Sequence, residues 1–234
     1  ANNLKRWKIK AITSNPMLEK LKKKSPPLVL KDYEILMILP GSRVPELHNN
    51  FRRMLKIIRR LNNRQKKLIY LCPLTSQESI IQLGEYLQNL GYRGFELPDN
   101  SLKAYSAYSI DAGKSIIAFG YKTFMDWAGY CKIGITSAGT STEQLSGLGI
   151  PSVSIIGKGP QFIKTFAIRQ ERILGGCVQV SINTKMAAKK VNKILDDSNL
   201  RALLGSIGKH RMRQGGGAPL LAKEIKKTIY SPEK

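Results

Sequence analysis

Acidic residues are scarce: 16 aspartates and glutamates stand against 39 lysines and arginines, a formal charge of +23. Such an imbalance invites an anionic partner, either nucleic acid or a membrane surface. The basic residues are spread along the chain, however. No zinc-finger spacing, RNP-like aromatic motif or helix-turn-helix pattern accompanies them, which weakens the case for nucleic acid. Cysteine and histidine are rarer still. Cys72, Cys131 and Cys177 lie far apart in or beside apolar stretches, and the histidines are His48 and His210. Without a CxxC or Cys/His pairing they read as structural thiols of a reducing compartment. Lacking an Asp-x-Asp or a histidine cluster, the chain offers no evident metal site. There is no GxxxxGK[ST] loop and no GxGxxG followed by a distal acid, which disfavours P-loop and NAD-type binding. Nor is there a Gly-x-Ser-x-Gly elbow of the hydrolase kind. No uninterrupted apolar run approaches the roughly 18 residues of a membrane-spanning helix.

What is present suits a globular α/β chain. At 42% hydrophobic, 234 residues can bury a substantial core in one large or two small domains. Residues 1–32 read as a basic connector. It has a turn at Thr13-Ser14-Asn15-Pro16, a short basic helix over 17–24 and a break at Ser25-Pro26-Pro27. The domain proper is expected over 33–234. Tyr33–Leu39 is a nearly continuous apolar run ended by Pro40-Gly41, as in a strand buried on both faces. A helix follows, with Leu47, Phe51, Met54, Leu55, Ile58 and Leu61 recurring at three and four. Its outer face, Arg52, Arg53, Lys56, Arg59 and Arg60, reads as solvated. Lys67–Leu74 is the next strand, and Thr75-Ser76-Gln77-Glu78 predicts a capping box. Asp111-Ala112-Gly113-Lys114 suggests a hairpin, a departure from strict strand–helix alternation. Otherwise strands and helices alternate. The expected fold is a Rossmann-like parallel sheet with helices on both faces, binding ligands beyond the carboxyl ends of its strands.

Three small-residue turns fall at such ends. Gly41-Ser42-Arg43 follows the first strand. There Arg43 suits bidentate phosphate binding, with an ion pair to Glu46 as the structural alternative. In Ser137-Ala138-Gly139-Thr140-Ser141-Thr142-Glu143-Gln144, a small-residue turn runs into a helix N-terminus that favours an anion. Glu143 in the first turn can accept two hydrogen bonds from a sugar diol. The alternative is a plain cap by Ser141 or Thr142, with Glu143 answering the helix dipole. The third turn is Gly157-Lys158-Gly159-Pro160-Gln161-Phe162. Gln161 and Gln170 are candidates for sugar hydroxyls.

Together these motifs resemble the carboxyl-terminal domain of GT-B glycosyltransferases, most closely lipid-A-disaccharide synthase and its relatives, with the MurG-type transferases behind. The residues that carry the resemblance are Leu39-Pro40-Gly41-Ser42-Arg43 with Glu46, Gly139-Thr140-Ser141-Thr142-Glu143-Gln144, and Gly149-Ile150-Pro151. Gly157-Lys158-Gly159-Pro160-Gln161-Phe162 with Phe166-Ala167 and Gln170 adds to it, and Asn15-Pro16-Met17 looks like the preceding linker. The match runs from about Ser14 to Ile229. It implies a UDP-sugar donor, used without a metal, and a lipid-linked acceptor. Gly41, Ser42, Arg43, Gly139, Thr140, Ser141 and Thr142 would hold the diphosphate, and Glu143 the ribose. Residues 119–121 would border the uracil, Gln161 and Gln170 would face the donor sugar, and Phe162 and Gln144 would join the substrate-binding residues. It also implies a partner domain, absent from this chain, that carries the acceptor site and the catalytic base. This chain would then be a donor-binding half, inactive alone, cytoplasmic and peripheral on a membrane. A UDP-sugar epimerase-like relative and a basic domain for nucleic acid or anionic membrane are the other readings.

Overall fold

The computed structural model describes residues 14–62, 64–97, 100–157 and 162–230. Their strands form one eight-stranded sheet in the order β3-β4-β5-β2-β1-β6-β7-β8. β1 (Tyr33–Leu39), β2 (Lys67–Leu74), β5 (Ser115–Tyr121), β6 (Ile133–Thr136), β7 (Ser152–Ile155) and β8 (Val178–Ser181) run parallel. Taken alone, these six have the strand order of a doubly wound nucleotide-binding sheet, whose direction of growth reverses between β1 and β6. β4 (Ser106–Ser109) returns antiparallel on β5 through the expected hairpin, and β3 (Arg93–Gly94) extends that edge.

Both sheet faces are buried, so the central strands alternate between two apolar layers. Leu36 and Ile38 face a layer built with α1 (Glu46–Leu61), α2 (Gln77–Asn89) and α6 (Thr184–Asp196). Ile35, Met37 and Leu39 face the other. There Trp127 of α3 (Phe124–Trp127), Leu145 of α4 (Thr140–Gly147) and Met212 of α7 (Ser198–Met212) close the core. α5 (Lys164–Ile173) and α8 (Gly217–Tyr230) complete the helices of the described residues. The three cysteines are free and buried. Burial pushes each thiol up, that of Cys177 to about 11.

Several expectations are corrected. The basic helix over 17–24 is a single 3-10 turn, Pro16–Leu18, with Asn15 Oδ1 accepting from Met17 N–H at 2.9 Å. Contacts distant in sequence override its helical tendency. Asn15 N–H donates to Gln214, Lys24 N–H donates to Gly129, and Leu18 and Leu21 are buried in the second layer. The capping box is out of register. Ser76 caps α2 by accepting from Ser79 N–H at 3.2 Å, while Glu78 accepts from Gln82. The basic face of α1 is not wholly solvated, since Arg53 donates to the Ile156 carbonyl. Burial lowers the Arg53 pKa.

Candidate functional site

A cleft of about 480 Å³ opens where the sheet order reverses, beyond the carboxyl ends of β1 and β6. Backbone geometry brings the three turns to it. Ser137 N–H donates to the Leu39 carbonyl at 2.8 Å, and Ser137 Oγ donates to the Ile155 carbonyl at 2.8 Å. One serine thus ties the ends of β1, β6 and β7 together. The chain leaves β1 through Gly41, whose φ of +98° is left-handed and favours glycine. Gly41, Ser42 and Arg43 all line the cleft, and Ser42 and Arg43 are exposed. Among the described residues Arg43 makes no ion pair, so the alternative pairing with Glu46 is not formed. Glu46 lines the same cleft from the first turn of α1.

Opposite stands the N-terminus of α4. Gly139 occupies the cap position and no side chain caps the helix, so neither Ser141 nor Thr142 plays that part. The first backbone N–H groups of such an end lack intrahelical acceptors. Gly139, Thr140 and Ser141 line the cleft. Thr142 does not: it is fully buried, and its hydroxyl donates to the Ala138 carbonyl at 2.7 Å. Gln144 also points elsewhere, donating to the Met17 carbonyl at 2.9 Å and so fastening the segment before β1. Glu143 is half-buried in the first turn of α4 and lies outside the lining.

The third wall is aromatic. Phe162 and Phe166 line the cleft with ring centroids 5.4 Å apart at 61°. Gly157 N–H donates to the Phe162 carbonyl at 2.9 Å, closing the loop. Gln161 lies outside the described residues. Gln170 is buried beneath the second turn, its Nε2 donating to the Gly139 carbonyl at 3.2 Å. None of residues 119–121, for which a base-bordering role is implied, lines the cleft. Phe119 is fully buried in the core, 5.6 Å from the Phe51 ring, and Leu74, Thr75 and Phe124 line that flank instead.

Sequence reasoning missed Asn50. It is buried, lines the cleft and donates from Nδ2 to the Pro40 carbonyl at 2.9 Å. The available signal was a polar residue three positions after Leu47, on the buried stripe of α1. Among the described residues no group of three or more His, Cys, Asp and Glu is placed to hold a metal ion. Among the same residues, no helix is long and apolar enough to cross a membrane.

No protein-family model matches the sequence, and no curated protein matches it by sequence. Solved structures do match in shape. One described as a putative UDP-N-acetylglucosamine 2-epimerase from Listeria monocytogenes aligns at a TM-score of 0.60 and 13% identity. The alignment covers 99% of this chain and 57% of that one. Spinosyn rhamnosyltransferase SpnG, complexed with thymidine diphosphate, aligns at 0.53 and 14%, over 90% of this chain and 51% of that one. The C-terminal CMP-Kdo binding domain of WaaA from Acinetobacter baumannii aligns at 0.56 and 14%, over 79% of this chain and 92% of the domain. The chain spans little more than half the length of the first two. The likeness shows the fold, that of the Rossmann-like carboxyl-terminal domain of GT-B glycosyltransferases.

Proposed function

We propose that this chain binds a nucleotide-sugar donor, as the donor half of a hexosyltransferase related to lipid-A-disaccharide synthase. One observation carries the reading: an arginine on a Gly-Ser turn, without an ion pair among the described residues, faces an uncapped helix N-terminus across the switch-point cleft. Both features suit a diphosphate, the first by bidentate hydrogen bonds and the second by backbone N–H groups and the helix dipole. In sugar transfer the bond from the anomeric carbon to the diphosphate breaks and negative charge grows on the leaving oxygen. Arg43, Ser42 and the α4 N-terminus supply fixed positive potential there, so the reading requires no metal. In this reading Glu143, in the first turn of α4, accepts from the ribose hydroxyls, and Gln161 and Gln170 are the candidates for the sugar hydroxyls. The fold neighbours support this at a general level, since their names include thymidine diphosphate, CMP-Kdo and UDP.

The acceptor in this reading is lipid-linked, and the basic surface meets anionic lipid. The base that activates the acceptor belongs to a second domain. The epimerase among the fold neighbours favours a second reading, sugar epimerisation. Against it, Glu46 is the single carboxylate among the described cleft-lining residues and no histidine joins it. Calorimetric titration with UDP and ADP tests the proposal. Saturable UDP binding, weaker for ADP and lost in Glu143→Ala, is expected. Equal affinity for both nucleotides, or none for either, refutes it.

A further inference from the structure

Asn50 has half of its carboxamide committed and half unpaired. The bond from Nδ2 to the Pro40 carbonyl fixes the orientation of the amide, because turning it over would set two oxygens against each other. Oδ1 is therefore the free atom, and it is buried with no hydrogen-bond partner among the described residues. The residue is 4% exposed and lines the cleft. Oδ1 faces Gly157, lying 3.6 Å from where a Cβ on that glycine would stand. A buried acceptor left unmade is costly, and leucine would continue the stripe of Leu47, Phe51 and Met54 without that cost. Gln170 repeats the pattern under the other turn. Its Nε2 donates to the Gly139 carbonyl, while Oε1 is buried and unpaired among the described residues.

The hydrogen-bond polarity of the site is thus divided. A diphosphate consists of acceptors and needs donors, which the Arg43 guanidinium, the Ser42 hydroxyl and the α4 N-terminus offer. An amide oxygen repels phosphate oxygens and takes O–H or N–H. Asn50 is tied by Nδ2 to Pro40, beneath the first turn, and turns Oδ1 toward Gly157, on the flank that Phe162 also lines. We infer that Asn50 Oδ1 accepts a hydrogen bond, directly or through one bridging water, from a hydroxyl of the group attached to the β-phosphate. The cleft is then oriented, with the transferred group against Asn50 and Phe162 and the phosphates against Arg43. This rests on the donor-site reading and adds to it the direction of the ligand and a specificity-determining residue.

The test titrates the chain with UDP, UDP-glucose and UDP-N-acetylglucosamine, then with analogues of the tighter sugar in which each hydroxyl is singly replaced by hydrogen. The series is repeated on Asn50→Leu. In the wild type, a UDP-sugar should bind more tightly than UDP, and one deoxy analogue should lose about fivefold. In Asn50→Leu the sugar advantage should shrink by a similar factor, and that deoxy analogue should lose nothing more. If UDP and UDP-sugars weaken equally in the variant, Asn50 merely holds the Pro40 turn and the inference is overturned. Should Asn50→Leu fail to fold, the wild-type series decides, because no single hydroxyl mattering overturns it as well. Failure of the wild type to bind any of these nucleotides removes the donor-site reading itself, a separate result.

Discussion

At the amino ends of β1, β2 and β6, Glu34 gathers three cations around one buried carboxylate. At the carboxyl ends of β1 and β6, Arg43 stands without a carboxylate partner among the described residues. Glu34 is 4% exposed at its side chain and lies 3.0 Å from Arg64, 3.3 Å from Lys132 and 3.8 Å from Lys66. Arg64 reaches on to Asp196 at 2.7 Å and Asn192 at 2.9 Å. Burial lowers the Arg64 pKa, but the bonds to Asp196 and Glu34 outweigh it and leave it raised. In a chain of 39 basic and 16 acidic residues, carboxylates are a limited resource. The fold commits two, Glu34 and Asp196, to a network at one end of the sheet and leaves the cation at the other end open. A charge cluster paired within the fold is architecture. An unsatisfied donor set beside a cleft is where an anion from outside completes the pairing.

Breaking the closed end should have the largest effect. Glu34→Ala removes the buried acceptor shared by Arg64 and Lys132, leaves Arg64 to Asp196 alone, and should cost about 2 kcal/mol of stability. Urea unfolding should show the midpoint fall with the slope unchanged, while nucleotide affinity under native conditions stays put. A shift below about 0.5 kcal/mol would mean that the network contributes nothing. The open end should respond in the opposite way. Arg43→Ala should leave stability within about 0.5 kcal/mol and lower UDP affinity at least about tenfold, since hydrogen bonds to charged groups are worth about 1.5–3 kcal/mol. Arg43→Lys should recover part of the affinity, because a point charge remains but the planar fork is lost. Intact binding in Arg43→Ala would dissolve the contrast between the two ends.

That contrast is half legible in the sequence. The open end announces itself, because small residues between an apolar run and a helix start mark a turn whose backbone a ligand can approach. Gly41, Arg43, Gly139, Thr140 and Ser141 do reach one cleft. The closed end is hidden. Glu34 sits inside the apolar run of β1, and its partners are 30, 32 and 98 positions away, brought near by parallel pairing that no local pattern encodes. Arg53 misleads for the same reason. Helical periodicity puts it on the outer face, yet β7 ends close enough for Ile156 to accept its hydrogen bond. The side-chain directions of Thr142 and Gln144 are equally out of reach. The turn and the apolar residues after it announce their helix, but which of its faces meets the cleft depends on how α4 sits on the sheet.

Smaller substitutions sharpen the comparison at the open end itself. Gly41→Ala should destabilise by about 1 kcal/mol, because φ of +98° is strained for any side chain. Thermal unfolding should register that loss, and UDP binding should weaken with it as the turn relaxes. Gln144→Ala is the finest test, since its amide lies on the helix that bounds the cleft yet bonds to Met17 at 2.9 Å. Deleting it should cost about 1 kcal/mol or less and leave UDP affinity unchanged. Loss of affinity without loss of stability would mean that Gln144 turns to the ligand. Residues of α4 would then have to be divided between cleft and scaffold differently, beginning with Glu143, its neighbour in sequence.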